Sequence, residues 1–126
     1  IHIDDYDIWG MDQTLALIIY PMLKKLKENK MGAPFVGDED VPKELRGGYI
    51  NPKDGGTDDN WFKRWDYVLD EMIFAFKHQT YEWEEEFFDF SDDLNATYNK
   101  KGLVEKNDRI QDGLRLFGKY YSNLWD

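Results

Sequence analysis

The sequence predicts an all-α fold, and three observations carry that reading. Between residues 61 and 76, Trp61, Phe62, Trp65, Val68, Leu69, Met72, Ile73 and Phe76 recur in steps of three and four, the period of one face of an α-helix. Weaker versions of the same repeat lie on either side. The chain has 126 residues and no Cys, so it suits a single domain, 1–126. Two halves would each be too small to bury a stable core without staples. An aromatic fraction of 17% argues for a packed interior, since disordered chains are poor in rings.

The elements follow in order. Residues 1–10 hold Asp4, Asp5 and Asp7 among apolar side chains and read as a turn or extended strip across the body. Asp12 is a plausible N-cap for a first helix, about 12–30, with Leu15, Ile18, Ile19, Met22, Leu23 and Leu26 on one apolar face. Lys24, Lys25, Lys27 and Lys30 suit the negative end of its dipole. Pro21 removes a backbone bond inside it, and a kink is expected near 17–21.

From 31 to 57 the periodicity dissolves into a long Gly- and Pro-rich loop. Phe35, Val36, Val41 and Leu45 can anchor its first half, with one helical turn near 41–46, and its second half, 47–56, is the part expected to move. Asp58 or Asp59 would cap the aromatic helix, about 58–80. A second stripe, Tyr67, Glu71, Phe74 and His78, makes that helix apolar on more than one side, hence central. The acidic aromatic segment 81–90 suits helix better than strand, and 91–101 reads as loop. The last helix, about 103–124, carries Leu103, Ile110, Leu114, Phe117, Tyr121 and Leu124. Gly113 and Gly118 lie near this face, where the natural return for lost propensity is close approach of another helix backbone.

The net charge of −10 and pI near 4.6 disfavour direct nucleic-acid binding, which needs clustered Lys and Arg. The charge is uneven. Residues 58–99 carry twelve acids and three bases, whereas 100–126 carry four acids and six bases, so the basic last segment is expected to pack beside the acidic middle one. The apolar run 15–23 is about half the length of a membrane span, and the chain reads as soluble with no membrane partner. It begins at Ile1, as a processed or incomplete form would, leaving a preceding targeting segment open. Asn95-Ala96-Thr97 is a formal glycosylation acceptor, of consequence only in a secreted protein.

Chemistry-bearing patterns are sparse. Ser91 and Ser122 lack a nucleophile motif, and no phosphate-binding glycine loop is present. On an α-helix Glu82, Glu85, Glu86 and Asp89 would share a face that oxygen-seeking divalent cations could use. This spacing resembles the E-x-x-E and E-x-x-D pairs of the all-helical nucleotide pyrophosphatases. There the pairs lie on separate helices, whereas here they abut in one segment, and a solvated acidic face accounts for them more simply. Asp66, Asp70 and Glu71 lie on the aromatic helix with His78 beyond, but the Glu-x-x-His pairs of a carboxylate-bridged metal site are missing. A helix-surface or hydrogen-bonded histidine, with the carboxylates placed for capping and Lys or Arg pairing, is the plainer reading. No catalytic residue, metal or cofactor is assigned.

Three segments resemble small uncharacterised proteins of bacteriophage and environmental viral genomes: residues 32–42 (Gly32-Ala33-Pro34-Phe35-Val36 and Asp38-Glu39-Asp40-Val41-Pro42), residues 64–72, and residues 116–126. The resemblance implies a viral origin, with host cytoplasm or virion as the setting, and no activity to transfer. The sequence therefore points to a non-enzymatic accessory protein that binds a protein partner or forms a homo-oligomer. Aromatic and acidic surface would carry the contact, with Asp66, Asp70, Glu71, Glu82, Glu85, Glu86 and Asp89 as the polar candidates, and Tyr67, Phe74, Trp83, Phe87 and Phe88 as anchors if exposed. The alternatives are a metal-dependent hydrolase of a nucleotide or phosphoester using those carboxylates, and a DNA mimic that occupies a nucleic-acid-binding protein.

Overall fold

A computed structural model describes residues 1–48, 58–89 and 97–126, with the backbone alone at Asp89 and Thr97. The fold is all-α. Helix α1 spans Asp5–Trp9 and α2 Met11–Asn29, α3 spans Trp61–Lys77, and α4 spans Lys100–Lys119. Single 3-10 turns occupy Asp38–Asp40, Lys43–Leu45, Trp83–Phe87 and Tyr121–Asn123. Among the described residues, extended backbone pairing is limited to β1, Phe88–Asp89, antiparallel to β2, Thr97–Tyr98. No described helix is long and apolar enough to cross a membrane.

Helix α3 is the centre, as its two apolar stripes require. Trp65, Val68, Leu69, Met72 and Phe76 are buried against Ala16 and Leu23 of α2, Val36 and Val41 of the following loop, and Leu116 and Tyr120 at the end of α4. Each such large apolar side chain contributes about 1.5–3 kcal/mol on full burial. The rings mesh edge-on, Phe76 with Phe117 at 4.7 Å and Trp65 with Tyr120 at 5.8 Å between centroids. On the second stripe, Ala75 joins Ile110 and Trp83 in a smaller cluster flanked by Phe74, Phe87 and Leu114. Phe62, expected on the buried face, is half exposed at the helix start.

Helix α4 comes close to the α3 backbone at Gly113. A Cβ there would lie 2.4 Å from the Glu71 carbonyl oxygen and 2.6 Å from the Ala75 Cβ, so only glycine lets α4 approach α3 this far. Gly118 does not share this role, because a Cβ there would meet nothing within 4 Å.

Local sequence accounts for most boundaries, and tertiary contacts for the departures. Residues 5–9 form a helical turn where a turn or extended strip was expected, with the Asp4 N–H donating to the Asp7 carboxylate at 2.9 Å. Helix α2 starts one residue before Asp12, after Gly10, and stays helical through Pro21. Asp58 does not cap α3 by its side chain. Its carbonyl accepts from the Trp61 N–H, while its carboxylate clamps both terminal nitrogens of the buried Arg64 at 2.6 and 2.8 Å. The expected last helix to 124 ends at Lys119 instead, because Tyr120 turns inward and is held by the loop. Segment 81–90, expected as α-helix, forms in its described part a 3-10 turn over Trp83–Phe87 that passes into β1, and Phe90 lies outside the described residues. In the long loop, Val36 and Val41 anchor as expected, with the Trp61 indole donating to the Ala33 carbonyl and Arg64 to that of Leu45. The portion expected to move, 47–56, lies mostly outside the described residues, as does most of 91–101.

Gly113→Ala is expected to lower the unfolding free energy by about 1–3 kcal/mol, the usual cost of overpacking a close contact. Gly118→Ala should leave it unchanged or raise it by up to about 1 kcal/mol. Urea denaturation followed by circular dichroism measures both.

Candidate functional site

The candidate carboxylates fall in separate places. Asp66 and Asp70, one turn apart on α3, both face the end of α2, where Lys30 reaches Asp66 at 2.5 Å and Lys27 reaches Asp70 at 2.7 Å. The hydrogen bond to Asp70 raises the Lys27 pKa against the opposing effect of burial. Together with Lys24, Glu28 and Ile73 they line an open cleft of about 350 Å³, in which both α3 carboxylates already hold a cation.

Glu71 points to the opposite side. It takes two hydrogen bonds from Arg109 of α4 at 2.9 and 3.3 Å, and that guanidinium lies 3.7 Å over the Phe74 ring. Burial, then the Glu71 charge, pushes the neighbouring Tyr67 hydroxyl pKa up. Glu86 pairs with Lys106, while Glu82 and Glu85 are exposed. The 3-10 geometry removes the common α-helical face predicted for Glu82, Glu85, Glu86 and Asp89, whose side chain lies outside the described residues. His78 is hydrogen-bonded, one of the two forms read from sequence, but it is buried rather than on the helix surface. Its Nδ1 lies 2.7 Å from the Phe74 carbonyl, and burial lowers its pKa. Among the described residues, no group of three or more His, Asp or Glu side chains is arranged to hold a metal ion.

Two features escaped the sequence reading. One is Asp40, whose side chain is 1% exposed and accepts from Arg115 at 3.0 Å, Lys119 at 2.6 Å and the Tyr120 hydroxyl at 2.6 Å. Burial alone would raise its pKa, but these three donors outweigh it and hold the carboxyl below the ordinary value. The same burial and hydrogen bond push Tyr120 up to about 12. The basic last segment thus meets the acidic middle one through Glu71 and Glu86, as expected, but spends Arg115 and Lys119 on the loop.

The other feature is the outer face of α2. In a helix of nineteen residues only Ala16 and Leu23 are buried. Leu15, Ile18 and Met22, expected in the core, are 40%, 54% and 65% exposed, and Met11 is 55% exposed. The rotation places Ala16 and Leu23 in the core with Ile19 and Leu26 against it, and on the same side Lys27 and Lys30 pair with Asp70 and Asp66. The seam Met11, Leu15, Ile18, Met22 is left roughly a quarter turn or more away. At its Met22 end it opens into an apolar groove of about 420 Å³ between α2 and the end of α4, also lined by Ile19, Leu26, Phe117, Tyr121 and Leu124. Trp9 and Tyr6 of α1 are exposed near the other end, their rings 5.7 Å apart. The aromatic anchors expected at 67–88 are largely covered. Trp83 is buried, Tyr67, Phe74 and Phe87 are partly so, and only Phe88 is exposed.

Comparison of the chain with protein families, curated proteins and solved structures finds no match.

Asp40→Asn is expected to cost about 1–3 kcal/mol at neutral pH, the usual range for a buried group stripped of charge-assisted partners. With its folded pKa depressed, Asp40 contributes fully above the unfolded value near 3.9 and loses that contribution as pH falls through the folded one. The variant should therefore begin to converge on wild type below about pH 4 and match it only once the pH has fallen through the depressed folded value. Tyr120 gives the reverse sign. Its raised pKa stabilises the fold below about pH 10, and this is lost as pH rises toward about 12. Denaturation curves across pH for wild type, Asp40→Asn and Tyr120→Phe test both limbs.

Proposed function

We propose that this protein is a non-enzymatic interaction module, and that its contact surface is the outer face of α2 with α1 and the adjoining groove. The observation that supports this is the exposure of four large apolar side chains in register on a helix whose other side is packed. Contiguous apolar surface of this kind is rare on a monomer without a function. Met11 and Met22 on this face have flexible side chains that adapt to a partner's surface. The resemblance to small phage proteins fits an accessory protein of this type.

The rival readings lean on carboxylates. Asp66, Asp70, Glu71 and Glu86 are engaged by Lys or Arg within the fold, which favours neither cation binding nor mimicry of a phosphate array.

Ile18→Glu is expected to keep the wild-type melting temperature, because the side chain lies outside the core, while abolishing binding in affinity capture and in self-association assays alike. Identical behaviour of the two proteins in both assays would remove this face as a contact surface. Titration calorimetry with magnesium or manganese addresses the hydrolase. Micromolar binding abolished by Glu82→Ala or Glu85→Ala would replace the present reading.

A further inference from the structure

The exposed seam of α2 has the same spacing in both directions. Met11, Leu15, Ile18 and Met22 are separated by four, three and four residues, so a second α2 laid head to tail sets Met11 opposite Met22 and Leu15 opposite Ile18. A two-fold axis then falls between Leu15 and Ile18. Such a seam is self-complementary in the way an isologous interface requires, and the three–four spacing is that of interdigitating helix pairs.

Charge favours the same direction. Asp4, Asp5 and Asp7 cluster at the N-terminal end of the seam, and Lys25 stands beside its other end, whereas Asp12 and Lys24 turn toward α3 and the segment after it. Among the described residues, Asp5, Asp7 and Lys25 form no ion pair within the chain. Head-to-tail pairing brings these acids toward Lys25 and opposes the helix dipoles favourably. A parallel pair would stack like charge on like charge.

The groove completes the fit. It begins at Met22, where the α1 segment of the opposite copy would arrive with Ile8 and Trp9, which are 62% and 82% exposed. A stable two-fold contact takes about 800 Å² per partner, and the four seam residues with Ile8 and Trp9 supply apolar area of that order.

We propose that a second copy of this chain covers this face, in an antiparallel two-fold α2–α2 pair in which each groove receives the α1 segment of the other copy. This rests on the reading of the α2 face as an interaction surface and names its occupant.

The test is analytical ultracentrifugation of the full chain over low to high micromolar concentration, combined with cysteine cross-linking. The absence of native Cys makes the cross-links unambiguous. A concentration-dependent dimer is expected, weakened roughly tenfold or more by Ile18→Glu, a central position where truncations cost most. Mixing Met11→Cys with Met22→Cys protein should give a disulfide-linked heterodimer. Met11→Cys alone should not cross-link, because its two copies would stand about 16 Å apart along the helices. A dimer that cross-links through Met11→Cys alone, or that ignores Ile18→Glu, overturns the proposed pairing. A chain that stays monomeric throughout overturns the second copy as occupant. If Ile18→Glu nevertheless abolished capture of another protein, the broader interaction reading would stand without it.

Discussion

Backbone contact between α4 and α3 at Gly113 is the constraint on which the remaining packing depends. With no Cβ in the way, α4 lies close enough for Ile110 and Leu116 to enter the core on either side of the contact and for Phe117 to meet Phe76. The same approach carries the end of α4 to the loop after α2, where Tyr120 reaches both Trp65 and Asp40. One glycine thereby decides where a ring, a carboxylate and a loop come together. Interiors packed to crystal-like density leave no slack to absorb even one methyl group at such a place.

Charge then distributes the outer segments around this pair. Asp66 and Asp70 hold the end of α2, Glu71 and Glu86 hold α4, and Asp40 gathers Arg115, Lys119 and Tyr120 onto the loop. Exposed pairs among these contribute little to stability individually. Their effect is geometric, since Lys27 and Lys30 pair on the same side of α2 that Ala16 and Leu23 bury against α3. Asp40 differs in kind. A buried carboxylate satisfied by three donors is costly to disturb, because each donor loses a charged acceptor at once.

The outer face of α2 follows from that rotation. An apolar arc wider than the strip that α3 can cover must leave part of itself outside, and here the remainder is an ordered seam ending in a groove rather than scattered side chains. The contact surface proposed for this protein therefore arises from the mismatch between the apolar width of one helix and the packing capacity of its neighbour. Asp40, Asp58, Asp66, Asp70, Glu71 and Glu86 act as struts within the fold.

Much of the architecture was legible in the sequence. The three–four repeat of 61–76, its second stripe at Tyr67, Glu71, Phe74 and His78, the anchoring of Val36 and Val41, and the close approach at Gly113 are consequences of local periodicity and residue size. The candidate site was legible only in part. Asp66, Asp70, Glu71 and Glu86 were visible as carboxylates, but a carboxylate's partner is chosen by long-range contact, and each proved to hold a Lys or Arg from another helix. Asp40 gave no local signal, since its donors lie some eighty positions further along the chain. Periodicity likewise announced that α2 is amphipathic without saying which part of its apolar arc is buried. By itself the sequence determined the helical class, the central helix and the acidic balance, all properties of neighbouring residues. Only tertiary structure decided the rotation of α2 and the fate of each charge, because both depend on which distant side chains arrive within reach.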